Sequence, residues 1–141
     1  MGRPRVVVAN AFSVNMVPNG ADLSIVRVTP EVAREVIDRA VENGFEVVSI
    51  VGHESTAKLI SQMLGHEVGV NRVNYVMMPE DVIIAVVVGT RLPEGKVLND
   101  KEIQEMLEKD LIRLYLIHQT PPCGTQTEIN KLTPHTPKCT E

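Results

Sequence analysis

The chain reads as an α/β protein. Apolar runs of strand length recur at Arg5 to Ala11, Phe45 to Val51 and Asp81 to Thr90, and stretches with helical spacing and recognisable caps lie among them. From Leu23 to Val51 the order is strand, helix, strand, which implies a right-handed crossover if the two strands are parallel in one sheet.

Arg5 to Ala11 opens with consecutive valines, as expected of a strand covered on both faces. Asn10, Ser13 and Asn15 then lead into the turn residues Pro18, Asn19 and Gly20. These polar side chains either face a site or satisfy their own turn. Leu23 to Val28 is a second strand. Thr29, Pro30 and Glu31 supply an N-cap, a first helical residue with preset φ and an acid for the helix dipole. Val32, Ala33, Val36, Ile37, Ala40 and Val41 form the apolar stripe of that helix, its charged residues form a solvated face, and Gly44 ends it. Phe45 to Val51 is the next strand. A second helix runs from about His53 to Gly65 on Ala57, Leu59, Ile60, Met63 and Leu64. Val73 to Met77 is a strand candidate, hairpin-paired with the run inside Asp81 to Thr90, the strongest strand signal in the chain. Arg91 to Leu98 is a loop, Asn99 or Asp100 caps a helix burying Ile103, Met106 and Leu107, and Leu111 to Ile117 is the last strand.

The chain has 141 residues, 43% hydrophobic and 23% charged, which suits one domain with a real core. Residues 1–118 form the predicted domain and residues 119–141 a tail rich in Pro and Thr. No apolar run approaches the roughly 20 residues that span a bilayer, and Met1 to Arg5 leads straight into a strand rather than a secretory h-region. A cytoplasmic location without membrane partners is the expectation. The net charge of −4 argues against coating long nucleic acid, so a nucleic-acid ligand must be small or meet a few converging cations.

The stretch Val48 to Ala57 organises the rest. His53, Ser55 and Thr56 fall where a strand's carboxyl end meets a helix's amino end, and the free N–H groups and dipole there favour an anion. An imidazole beside a phosphate site suggests phosphodiester chemistry. The alternative is that Ser55 and Thr56 help to cap a helix and His53 is a surface residue. Other pieces that could converge on the same sheet edge are Ser13 and Asn15, Arg72, and Arg91 with Glu94.

Asn10 to Met16, Gly52 to Ala57 with Leu59 and Leu64-Gly65, Asn71-Arg72, and Arg91 to Leu98 together resemble the viral ring nucleases. These are type III anti-CRISPR proteins with relatives in bacterial and archaeal genomes. The resemblance spans about residues 4–118 and leaves the tail uncovered. It implies a mixed β-sheet of about five strands flanked by helices, in a homodimer. It implies binding of the second messenger cyclic tetra-adenylate and its cleavage, without metal or cofactor, to linear di-adenylates with 2′,3′-cyclic phosphate ends. That cleavage would switch off the CRISPR ancillary effectors. His53 and Glu94 match the catalytic pair, and Ser13, Asn15, Thr56, Arg72 and Arg91 match ligand-contacting positions.

The chemistry is coherent. The ribose 2′-OH is the nucleophile, so the protein need only align it, stabilise the phosphorane and protonate the leaving oxygen. His53 is the natural general acid. A helix amino end lowers an imidazole's pKa, whereas Glu94 or the bound phosphate raises it again. Glu94 is therefore assigned to orienting or charging His53, ahead of activating the 2′-OH. Arg72 and Arg91 suit phosphates through their planar fork, and a two-fold dimer suits a ring of four identical nucleotides. A protein that sequesters the ring without cutting it is the competing reading, and an interaction protein with no nucleotide ligand is a third.

Cys123 and Cys139 both lie in the tail. With His118 and His135 they offer four zinc-type donors, but few apolar residues surround them, and a variable tail with free thiols is the simpler reading.

Overall fold

The computed structural model describes residues 5–90 and 98–120. Its strands are β1 (Arg5–Ala9), β2 (Leu23–Val28), β3 (Glu46–Ser49), β4 (Val82–Val88) and β5 (Ile112–Gln119). Its helices are α1 (Pro30–Glu42), α2 (Glu54–Leu64) and α3 (Asp100–Glu108), with a 3-10 turn at Val14–Met16. The strands make a five-stranded sheet in the order β2-β5-β4-β1-β3. β1 is parallel to both β3 and β4, while β5 is antiparallel to both β4 and β2. β1, β2, β3 and β4 thus share a direction, and their carboxyl ends share an edge. The sheet is mixed, as expected.

β1 and β4 sit at the centre because both of their faces are apolar. Val6 to Ala9 and Val82 to Val86 are all buried. On one face Val6, Val8, Val82, Ile84 and Val86 meet Ile37, Ile60, Leu64 and Ile103 from the three described helices. On the other, Val7, Ala9, Ile83, Ala85 and Ile117 are covered by Phe12, Tyr75 and Met77, which come from irregular segments.

The helices start and stop where side chains permit. Thr29 Oγ1 accepts from Val32 N–H at 3.2 Å, and Pro30 opens α1. Asn99, not Asp100, caps α3, in a capping box with Glu102. Of the three apolar residues expected on α3, Ile103 is buried, and Met106 and Leu107 belong half-buried to the same core cluster. Gly44 (φ +75°) and Gly65 (φ +68°) terminate α1 and α2 in the left-handed conformation.

Two strand expectations are corrected. The run from Phe45 to Val51 pairs only over Glu46 to Ser49. Beyond it Val51 N–H turns to the Ser49 hydroxyl and Gly52 N–H to Asn10. Val73 to Met77 forms no strand and no hairpin. β4 already has β1 on one side and β5 on the other, so no edge is left for a third partner. The segment instead packs Tyr75 and Met77 over the sheet.

No helix among the described residues is long and apolar enough to cross a membrane.

Candidate functional site

The exits of β1 and β3 lie side by side, since Val8 pairs with Ser49 and Ile50 N–H bonds Val8 O at 2.9 Å. Asn10 follows β1 directly and turns its side chain to the β3 exit, where Oδ1 accepts from Gly52 N–H at 3.4 Å. His53 comes next as the N-cap residue of α2, in extended backbone (φ −132°, ψ 133°). Its carbonyl takes the first helical bond from Ala57 N–H at 2.9 Å, but its ring makes no capping bond. The exposed imidazole therefore stands at a helix end whose first N–H groups it leaves for another acceptor. Ser55 and Thr56 lie half-buried in that first turn.

Arg72 reaches the same point from the stretch that follows α2. Ser61 Oγ accepts from Val68 N–H at 2.8 Å and folds this stretch back along the helix. Ser49 Oγ donates to Gly69 O at 2.6 Å and holds it against the edge of β3. Arg72 Nε then donates to Gly52 O at 2.7 Å. A guanidinium fixed through Nε keeps the outer N–H groups of its planar fork for an oxyanion. His53, Thr56 and Arg72 thus flank one connection, with Asn10 and Asn71 bracing it.

Ser13 and Asn15 are exposed in the turn that continues β1. Ser13 O accepts from Met16 N–H at 3.0 Å, while its hydroxyl makes no capping bond. Met77 N–H bonds Met16 O at 2.8 Å and ties this turn to the stretch carrying Arg72. Arg91 and Glu94 lie outside the described residues; Thr90, the last residue before them, leaves β4 on the edge that β1 and β3 share. Cys123, His135 and Cys139 also lie outside, and His118 is buried within β5. Among the described residues no group of three or more His, Cys, Asp or Glu could hold a metal ion.

Sequence reasoning missed the bracing. Asn10 and Asn71 stood in the motifs that carried the resemblance, but with no structural role assigned to either. It also missed a buried ionic cluster at the opposite edge. Asp81, at the head of β4, is fully buried and accepts from Arg5 Nε at 2.9 Å, Arg5 Nη2 at 2.7 Å, the Tyr75 hydroxyl and Met78 N–H at 2.9 Å. Its hydrogen bond to Asp81 raises the Arg5 pKa, and burial followed by the bond to Asp81 holds the Tyr75 phenol well above the usual tyrosine range. Opposite charges heading two apolar strands were the available signal, because Val6 pairs with Val82.

A small single-domain α/β protein is defined here, with a polar site at the exits of two parallel strands. The chain belongs to the STIV B116-like family, whose profile matches residues 6–115. It is similar to "Uncharacterized protein ORF116" of Acidianus filamentous virus 1 (isolate United States/Yellowstone), with 34% identity over 106 residues, 75% of this chain and 88% of the relative. It is also similar to "Uncharacterized protein ORF117" of Acidianus two-tailed virus, with 34% identity over 91 residues, 64% of this chain and 75% of that one. Among solved structures, B116 of Sulfolobus turreted icosahedral virus (STIV) superposes with a TM-score of 0.74 at 31% identity, covering 81% of this chain and 98% of that chain.

The expected assignment to the viral ring nuclease family is thereby corrected: the family is the STIV B116-like one, and the names of these viral relatives carry no activity. Part of the pattern that suggested otherwise has a structural role in this chain. Asn10 and Asn71 brace the connection before α2, and Gly65 ends that helix.

Proposed function

We propose that this protein is a phosphodiesterase that cleaves cyclic tetra-adenylate to linear di-adenylates with 2′,3′-cyclic phosphate ends, and so lowers the signal that drives type III CRISPR ancillary effectors. The observation that carries this reading is an exposed imidazole at the uncapped amino end of α2, beside an arginine fixed on the preceding carbonyl. Such a pair suits a ligand that brings its own nucleophile. The helix end and Arg72 bind the scissile phosphate, the ribose 2′-OH attacks phosphorus in line and gives up its proton to solvent water, and the P–O5′ bond breaks as His53 protonates the departing 5′-oxygen. A positioned acid contributes about 10²–10⁴-fold. Ser13, Asn15 and Thr56 hold the neighbouring nucleotides, Arg91 a second phosphate, and Glu94 orients His53. A net charge of −4 favours a small ring over long nucleic acid, and relatives encoded by viruses suit a protein directed against a host signal.

The active unit in this reading is a two-fold homodimer. Val14 (85% exposed), Val73 (55%), Val76 (57%) and Met78 (48%) are apolar and open to solvent, with Val14 between Ser13 and Asn15 and Val73 next to Arg72. A second copy seated on them would bring two sites to one ring of four nucleotides.

Incubation of excess cyclic tetra-adenylate with the protein in EDTA, with products separated by chromatography and mass spectrometry, tests the activity. Many turnovers to di-adenylates ending in 2′,3′-cyclic phosphate are expected. Tight binding without product would replace catalysis with sequestration, and no binding would remove the nucleotide reading altogether.

A further inference from the structure

Asn71 makes a two-point attachment to the connection between β3 and α2. Its main-chain N–H donates to Val51 O at 2.8 Å, and its side-chain Nδ2 donates to Ser49 O, also at 2.8 Å. Arg72 follows with its Nε bond to Gly52 O at 2.7 Å, and Asn10 takes Gly52 N–H from the other side. The carbonyls of Ser49, Val51 and Gly52 and the N–H of Gly52 are therefore all engaged immediately before His53. The His53 ring has no cap bond of its own to hold it. Its place is thus set by the main chain that these bonds fix. The attachment is too exposed to contribute much to stability.

We infer that Asn71 is a positioning residue of the site: by clamping residues 71 and 72 to the Ser49–Gly52 backbone, it aims the Arg72 guanidinium and the peptide carrying His53 at the same phosphate. This rests on the phosphodiesterase reading for its consequence in catalysis, but not for its geometry. Without the Nδ2 bond, residue 71 keeps only its main-chain bond to Val51 O and Arg72 only its Nε bond to Gly52 O, so the aim of the guanidinium loosens, and a misplacement on the ångström scale at a reacting centre costs about 10²-fold.

The informative variant is Asn71→Asp. It keeps size and the main-chain bond but sets a carboxylate against the Ser49 carbonyl where a donor stood. Asn71→Ala removes the donor without adding charge, and serves if the Asp variant does not fold. The experiment compares each with wild type by ¹H–¹⁵N NMR of Arg72 Nε–H and the Gly52 amide, and by kcat and KM for cyclic tetra-adenylate at equal folded concentration. Both resonances are expected to shift while those of β4 and β5 stay in place. The kcat is expected to fall about 10- to 100-fold, with a rise in KM through Arg72. A structural role alone would lower the folded fraction and leave kcat per folded molecule unchanged. Resonances that do not move, or unchanged kinetics where wild type is active, overturn the inference. Wild type that cuts no ring defeats the activity reading instead, and the two resonances then decide the clamp by themselves.

Discussion

The stretch between α2 and β4 is held at its two ends by opposite means. Near its start, Asn71 and Arg72 bind backbone carbonyls in the open. At its end, Tyr75 and Met78 bind the fully buried carboxylate of Asp81, which Arg5 neutralises. The buried end is costly to disturb, because a lost partner strands polar groups away from water. The open end is cheap to disturb, because water replaces what is lost. Stability is therefore concentrated at the amino ends of the strands and placement at their carboxyl ends, where the candidate site lies.

The sharpest way to break the buried end is Asp81→Ala. It leaves the Tyr75 hydroxyl and Met78 N–H without an acceptor and Arg5 without its counter-charge, so a loss of about 3 kcal/mol is expected in urea unfolding. Cleavage per folded molecule should be unaffected. A loss below about 1 kcal/mol would mean that water enters the cluster and that the two ends do not differ in kind.

Tyr75→Phe should cost less, about 1.5–3 kcal/mol, for one bond to a charged acceptor. It also changes the pH dependence. The folded protein holds the Tyr75 proton more tightly than the unfolded chain does. That contribution is complete below a pH of about 10, the ordinary tyrosine value, and is lost as pH rises above it towards the folded value. Unfolding midpoints measured from neutral pH to pH 11 should fall more steeply above pH 10 for wild type than for Tyr75→Phe. Parallel curves would contradict the bond.

At the open end, Gly65→Ala forces a side chain into the left-handed turn that ends α2 (φ +68°). About 1 kcal/mol should be lost, and no steric clash adds to it, because the nearest atom to an added Cβ is Arg34 Nε at 3.6 Å. Thermal melting checks this. The smallest expected change in stability, under about 1 kcal/mol, is that of Asn71→Ala, and there the effect belongs in the kinetics.

Much of the fold could be read from residues alone. The valines of β1 and β4, the Thr29-Pro30 cap and the glycines ending α1 and α2 each act through their own neighbours, and such local chemistry is visible in a sequence. The hairpin expected at Val73 to Met77 failed for a non-local reason: whether β4 has a free edge depends on where β1 and β5 lie. Of the site, His53 at a helix start was legible for the same local reason. The bonds from Asn10 to Gly52 and from Asn71 to Ser49 were not, since they join residues distant along the chain. The family followed the same division. The motifs suggested the viral ring nucleases, whereas the chain belongs to the STIV B116-like family.

The most direct test of the central claim is single-turnover cleavage of cyclic tetra-adenylate in EDTA by wild type and His53→Ala, with ring binding and thermal melting measured on the same samples. The account predicts a rate about 10²–10⁴-fold lower for the variant, with binding retained and melting unchanged, because the His53 ring is exposed and makes no cap bond. Equal rates for the two proteins would contradict it and take His53 out of the chemistry.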